Sequence, residues 1–256
     1  MSDILAGKVV VVTGGSSGIG RAIALAAARH QARAVFVADV TGTPREGGRP
    51  TAEEVEALGV PARFLTTDVT RRADLDALID ATGEFGGVDV MVCNAGITLP
   101  SDTADVAEDD LHRLMAVNLD GVLFGAQAAA RQMRGANRPG SIVLMASMGG
   151  LVGAHNTVAY STSKGGVVLM AKALADALGP HGIRVNAVCP GTTDTLMLRT
   201  TPGVSDTAEE FRQRTPLRRF ADPSEIGDSV AWLGSDLAGY VTGIALPVDG
   251  GLTAVI

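Results

Sequence analysis

Tyr160 and Lys164 close the run Tyr160-Ser161-Thr162-Ser163-Lys164, and Ser147 stands upstream at the end of the apolar stretch Ser141–Ala146. On a helix, a spacing of four residues puts the phenol and the ammonium on one face, one turn apart. An ammonium close to a phenol favours the phenolate and lowers a pKa that is about 10 when unperturbed, which makes Tyr160 a candidate general base. A serine hydroxyl delivered from a neighbouring strand end can hold the reacting oxygen beside it. The same spacing also describes a surface tyrosine next to a solvated lysine. With only two tyrosines and three lysines in the chain, the pairing carries more weight than chance spacing would.

A second constellation sits near the N-terminus, where a valine run leads into Thr13-Gly14-Gly15-Ser16-Ser17-Gly18-Ile19-Gly20 and then into an Ala-rich helical pattern. This order of strand, glycine turn and helix suits a dinucleotide. Gly14 can turn tightly, Gly18 lets the backbone approach a pyrophosphate, and Gly20 permits close packing, while the helix N-terminus supplies unpaired N–H groups and a positive dipole end. Asp39 ends the next apolar run about 20 residues further on, where a carboxylate accepts hydrogen bonds from ribose hydroxyls and repels a 2′-phosphate. NAD is therefore the expected cofactor. The plainer alternative is that Asp39 only starts a turn, and Arg45 and Arg49 in the loop Thr41–Pro50 leave dual specificity open.

The elements that must position these residues are legible as alternation. Short β-branched runs read as strands at Lys8–Val12, Ala34–Asp39, Ala62–Thr66, Val88–Val92, Ser141–Ala146, Arg184–Val188 and Ile244–Val248. Helical spacing fills the gaps at Gly18–Arg29, Thr51–Leu58, Arg72–Thr82, Ala107–Met133, Val158–Leu178 and Pro223–Leu233. Strand and helix in turn predict an α/β protein, a single-domain, doubly wound, seven-stranded parallel sheet with helices on both faces. No linker or repeat divides residues 1–256. Thr192–Pro216 is too long for an ordinary connection and is read as a substrate lid.

Composition excludes several other classes. Hydrophobic residues make up 46% of the chain, enough for a large core, and the net charge of −7 disfavours a nucleic-acid or anionic-membrane surface. The arginines of Arg212–Arg219 are then a solvated or subunit-facing surface. Cys93 and Cys189, far apart in apolar runs, read as reduced core thiols. His30, His112, His155 and His181 offer no ligand spacing, so no metal is expected. No apolar stretch approaches 18 uninterrupted residues, and a cytoplasmic protein is expected by default.

Taken together, the motifs resemble the short-chain dehydrogenase/reductase family over essentially the whole chain. They are Thr13–Gly20, Asp68-Val69, Asn94-Ala95-Gly96, Asn118, Ser147, Tyr160, Lys164, Pro190-Gly191 and Val248-Asp249-Gly250-Gly251. The resemblance implies a Rossmann-fold oxidoreductase that moves a hydride between a nicotinamide and a carbinol or carbonyl carbon. It assigns catalysis to Asn118, Ser147, Tyr160 and Lys164, with Tyr160 and Lys164 also binding the cofactor, Lys164 at the nicotinamide ribose, and Asn118 holding a proton-relay water. It places Gly14, Ser16, Ser17, Gly18, Ile19, Gly20 and Asp39 on the dinucleotide, Asp68 and Val69 at the adenine, and Asn94, Ala95 and Gly96 along the cleft. Pro190, Gly191 and Thr193 would border the nicotinamide amide. One departure is Cys93, where the family commonly has Asn; a side chain pointing into the sheet would leave the chemistry unchanged. The resemblance also implies a homotetramer, in which Gly121, Gly125, Ala126 and Ala129 would allow close helix approach or, alternatively, serve the core.

Substrate contacts are expected from Met148, His155, Asn156 and Leu196, although Asn156 has a second reading as a helix cap and His155 as a loop residue. Ala177–Thr192, Asp236–Gly243 and Leu151-Val152-Gly153 resemble bacterial sugar dehydrogenases of the L-rhamnose 1-dehydrogenase kind, which implies oxidation at an aldose C1. The alternative is a secondary-alcohol dehydrogenase or carbonyl reductase acting on a ketone, cyclic diol or 3-oxoacyl substrate, favoured by the apolar Met148, Leu196, Met197 and Leu198. A third reading, a non-catalytic nucleotide-binding regulator, would have gained from loss of Ser147, Tyr160 or Lys164; all three are present.

Overall fold

The computed structural model describes residues 3–99, 105–153, 157–200 and 204–255. Seven strands, β1 (Val9–Thr13), β2 (Ala34–Asp39), β3 (Ala62–Thr66), β4 (Val90–Cys93), β5 (Gly140–Met145), β6 (Ile183–Pro190) and β7 (Ala245–Val248), form one sheet in the order β3-β2-β1-β4-β5-β6-β7. All pairings are parallel. The central strands are buried on both faces, which is why β1 is a continuous valine run and not an alternating one.

Helices cover both faces. Val10, Val12, Val35, Val37, Val90 and Val92 pack against α1 (Gly18–Arg29), α2 (Thr51–Ala57) and α9 (Pro223–Gly234). Val9, Val11, Phe36, Met91, Cys93, Ile142 and Leu144 point the other way, onto α3 (Arg72–Ala81), α5 (Gly121–Gly135) and α6 (Val158–Leu178). Helix α9 begins sharply because Pro223 follows Asp222, whose carboxylate and that of Glu225 form a reciprocal capping box; such a cap contributes about 1 kcal/mol.

Two segments depart from the sequence reading. The helix expected over Ala107–Met133 is three pieces: α4 (Glu108–Met115), a π-helical turn over Ala116–Asp120, and α5. The proposed lid region, 192–216, is not a bare loop but carries α7 (Leu196–Thr200) and α8 (Val204–Arg214). Its base is fixed by strand-like pairing, with Ala221 N–H on the Thr192 carbonyl at 3.0 Å and Asp194 N–H on the Ala221 carbonyl at 2.9 Å. Of the arginines at its C-terminal end, Arg212 pairs with Glu209, Arg214 with Glu210 and Arg219 with Glu225.

The small residues of α5 belong to the chain's own core. A Cβ on Gly121 would stand 2.8 Å from the Val69 side chain, and one on Gly125 would stand 3.0 Å from Met91 and 3.1 Å from Cys93. Ala126 and Ala129 are fully buried in the same layer. Among the described residues no helix is long and apolar enough to cross a membrane.

Candidate active site

The order β2-β1-β4 means that the connections leaving β1 and β4 run to opposite faces of the sheet. A crevice must open between them, at the carboxyl ends of the strands, where open α/β sheets bind ligands. Thr13 ties its two walls together: its Oγ1 accepts from Asn94 N–H at 3.0 Å and Ala95 N–H at 3.1 Å, while the Asn94 amide donates to the Thr13 and Gly14 carbonyls at 2.9 and 3.2 Å. The closeness explains two glycines. A Cβ on Gly14 would lie 2.8 Å from the Ala95 backbone, and one on Gly20 only 2.0 Å from the Gly14 carbonyl.

Gly18 differs. Its φ is +54°, and within 4 Å of its hypothetical Cβ there is only the Thr195 side chain, so open space lies before the N-terminus of α1. The Gly18 N–H donates to the Glu46 carboxylate at 2.9 Å. This turn therefore already presents an N–H to an anion with room around it, and the donor set fits a dinucleotide phosphate. Asp39 lies at the same rim, its Oδ2 accepting from Ser16 N–H at 3.2 Å and its Oδ1 from Val40 N–H at 2.8 Å. Ser16 and Ser17 are drawn into the loop 41–50, Ser16 donating to the Thr41 carbonyl at 2.7 Å and Ser17 accepting from Arg45 N–H at 2.8 Å. Ile19 is half-buried against the α1–α9 face.

Further along the cleft, Asp68 caps its own turn through Thr70 N–H and hydroxyl at 2.9 and 2.7 Å, and Val69 is buried beneath Gly121. Gly191 packs against Asp249, where a Cβ would come within 2.7 Å of backbone, so Pro190-Gly191 and the Val248–Gly251 turn are one unit. Thr193 is buried, and its hydroxyl donates to the Gly191 carbonyl at 3.0 Å.

The three proton-handling candidates meet beside this crevice. Ser147 follows β5 and caps a short 3-10 turn over Met148–Gly150, its Oγ accepting from Gly149 N–H at 3.1 Å. A Cβ on Gly150 would collide with the Lys164 backbone at 2.6 Å, so this turn lies directly on α6. Tyr160 is the third residue of α6, with the Ser147 side chain close enough to its phenol to favour the phenolate. Lys164, one turn on, is 4% exposed, lies with Nζ 5.8 Å from the Tyr160 ring centroid, and donates to the Met145 carbonyl at 2.9 Å.

Burial dominates the electrostatics. It pushes the Tyr160 phenol above its ordinary value, opposed by the Ser147 hydrogen bond and reinforced by the neighbouring Cys189. It also brings Lys164 down to about 8, which leaves an ammonium at neutral pH that gives up its proton easily. The lowering of the phenol expected from Lys164 is not found: burial raises it, and the group that opposes burial is Ser147, not the lysine. Cys93 and Cys189 are pushed up to about 12 and about 11, as neutral thiols in a sheet interior should be.

Asn118 sits in the π-helical turn, fully buried. Its Oδ1 accepts from Ile97 N–H at 2.8 Å, and its Nδ2 donates to the Ile97 carbonyl at 2.9 Å and to the Ser163 hydroxyl at 3.3 Å. With both ends of its amide engaged, Asn118 fixes the loop after β4 against α6. A Cβ on Gly96 would be 3.4 Å from both Asn118 Oδ1 and Lys164 Nζ, which brings the Asn94–Gly96 wall and the lysine together. Ser163 is the link that sequence reasoning missed: its hydroxyl, fully buried, donates to the Tyr160 carbonyl at 2.7 Å. Its position three residues after Tyr160, on the same face of α6, was the only available signal, since the partner Asn118 is 45 residues away in sequence. Met148 is half-buried and Leu196 exposed, while His155 and Asn156 lie outside the described residues; the N-cap position of α6 is Thr157.

The comparisons agree with this geometry. A family profile described as "Enoyl-(Acyl carrier protein) reductase" matches residues 14–253. The L-rhamnose 1-dehydrogenase (NAD(P)(+)) of Azotobacter vinelandii is 40% identical over 97% of this chain and 98% of its own. The cis-4-hydroxycyclohexanecarboxylate dehydrogenase of Sinomonas cyclohexanicum is 39% identical over the full length of both. A short-chain type dehydrogenase/reductase from Mycobacterium marinum superposes with a TM-score of 0.90 at 35% identity, over 98% of this chain and 97% of that one. The chain belongs to the short-chain dehydrogenase/reductase family and, with its fold, to oxidoreductases acting on a CH–OH group.

Proposed function

We propose that the protein oxidises the C1 hydroxyl of an aldose, with NAD as the preferred acceptor, and that Tyr160 is the proton acceptor. The observation that carries the reaction is the convergence of Ser147, Tyr160 and Lys164 at the crevice edge. Bound nicotinamide supplies the hydride acceptor. Ser147 holds the substrate oxygen, and the Tyr160 phenolate takes its proton. Lys164 keeps a positive charge beside the ring, which stabilises the phenolate against the cost of burial. Asn118 and Ser163 hold α6 and the loop after β4 in register, and a relay water near Asn118 would return the proton to solvent.

The cradle Gly14, Ser16, Ser17, Gly18, Ile19 and Gly20 would take the pyrophosphate, and Asp39 the adenosine ribose. Asp68 and Val69 would flank the adenine, Asn94, Ala95 and Gly96 the cleft wall, and Pro190, Gly191 and Thr193 the nicotinamide amide. NAD preference rests on Asp39: its carboxylate is fixed at the rim by backbone donors, and the next residue, Val40, offers no cation to a 2′-phosphate. Asp39→Asn is expected to lower the ratio of NAD to NADP kcat/KM by roughly tenfold, mostly by improving NADP, because a like-charge contact is removed. An unchanged ratio would take Asp39 out of this role.

The sugar assignment is supported by relatives from Azotobacter vinelandii and Sphingomonas named L-rhamnose 1-dehydrogenase, each 40% identical. The second reading, a cyclic secondary alcohol, is supported by the hydroxycyclohexanecarboxylate dehydrogenase at 39%. An aldopyranose and a hydroxycyclohexane share a six-membered ring bearing a C–OH, and Met148 together with Leu196 of α7 would pack on that ring, with α7 and α8 as a lid. The readings separate on kcat/KM for L-rhamnose against a hydroxycyclohexanecarboxylate, with the sugar product checked as a lactone. A sugar preference supports the first, and a preference for the cyclohexanol replaces it.

A cytoplasmic homotetramer completes the reading. Val158 and Leu169 on α6, and Leu237, Tyr240 and Val255 around β7, are exposed apolar side chains suited to subunit contact.

A further inference from the structure

The loop 41–50 does more than connect β2 to α2. It is laced to the glycine turn through Ser16, Ser17 and Gly18, and further along α1 by Arg21, whose guanidinium donates to the Arg49 carbonyl at 2.8 Å and pairs with Glu54 at 2.8 Å. The contact between Glu46 and Gly18 puts a carboxylate on the helix end that suits a dinucleotide phosphate. Charge-assisted hydrogen bonds to a helix N-terminus are the same interaction a phosphate would make, so the two anions seek one N–H and repel one another.

We propose that Glu46 is a tethered competitor for the phosphate cradle, which the dinucleotide must displace, so that Glu46 sets cofactor affinity. The proposal rests on the dinucleotide reading of the glycine turn. The loop is built to release. Glu46 is exposed, and the next residues, Gly47 and Gly48, have φ of +79° and +90°, with no atom within 4 Å of a Cβ on Gly47. The carboxylate can therefore swing out without disturbing the core. Apparent affinity falls in proportion to the fraction of molecules whose cradle is free. A strap closed most of the time weakens binding of any dinucleotide, whatever its 2′-substituent.

The test is calorimetric titration of the full chain with NADH and with NADPH, comparing wild type, Glu46→Gln and Glu46→Asp. Glu46→Gln removes the charge, whereas Glu46→Asp keeps it on a side chain one methylene shorter that no longer reaches the Gly18 N–H. Competition predicts that both variants bind both dinucleotides about 3- to 10-fold more tightly than wild type. Unchanged or weaker binding by Glu46→Gln overturns it. Tighter binding by Glu46→Gln with Glu46→Asp unchanged also overturns it, since that is repulsion through space and not occupation of the N–H. Should wild type itself prefer NADPH, the NAD reading fails, but the comparison among the Glu46 variants still decides this one.

Discussion

Tyr160→Phe should lower kcat for alcohol oxidation by about 10²–10⁴-fold, the range for removal of a positioned general base, while leaving the Kd for NADH within about twofold. The ring stays and the hydroxyl goes. Tyr160 is anchored by α6 and its ring lies beside Gly149, where an added Cβ would stand 3.7 Å from Cδ1, and phenylalanine fits the same space because it only loses the hydroxyl. What is lost is the phenol hydroxyl beside the Ser147 side chain. Stopped-flow or steady-state turnover and a dinucleotide titration on the same preparation check both halves. Retained turnover would refute the base assignment, and lost NADH binding would show that the side chain serves the cofactor cleft instead.

Lys164→Met should have the second-largest effect, a fall in kcat of about 10²–10³-fold, together with displacement of the rising limb of the oxidation pH profile to higher pH. The sign follows from the two groups. Burial already raises the phenol, so oxidation gains rate as pH climbs and phenolate forms; removing the adjacent cation raises the phenol further. The variant should not lose much stability. Wild-type Lys164 titrates at about 8 in the fold against 10.5 when free. Between these values the unfolded chain holds the proton that the folded one has released, so stability rises with pH across that window and is lowest below it. At neutral pH the buried ammonium therefore costs about 3 kcal/mol. Methionine removes that cost but leaves the Met145 carbonyl without the lysine, a loss of about 1–3 kcal/mol. A Tm equal to or a few degrees above wild type, beside a collapsed kcat, is the expected pair of results. A large drop in Tm would make Lys164 structural first.

The strands and the glycine turn were legible because both are written in local chemistry: buried parallel strands as β-branched runs, and a close backbone approach as Gly14 and Gly20. The Tyr160–Lys164 pair was legible because helical spacing alone puts the two on one face. The π-helical turn was not. Its sequence, Ala116-Val117-Asn118-Leu119-Asp120, continues the apolar rhythm of the helices on either side, and one shifted hydrogen-bond register leaves no compositional mark. Helix α7 was hidden by its shortness, and α8 by the Pro202-Gly203 just before it, which read as loop chemistry. Ser163 and Glu46 escaped for a different reason. Each matters through a partner far away in sequence, Asn118 and Gly18, and such pairings come from topology. The same holds for α5, where Gly121 and Gly125 could equally have faced a partner subunit until Val69 and Met91 were seen against them.

The central claim is that this crevice turns over a carbinol with NAD. It is tested most directly by the appearance of reduced-nicotinamide absorbance when the purified protein is mixed with NAD and L-rhamnose, beside a cyclic and an aliphatic secondary alcohol. Turnover in the ordinary range of about 1–10³ s⁻¹ with the sugar, abolished in Tyr160→Phe, is the predicted result. Tight NADH binding with no turnover on any of these substrates would contradict it and leave a nucleotide-binding protein without this chemistry.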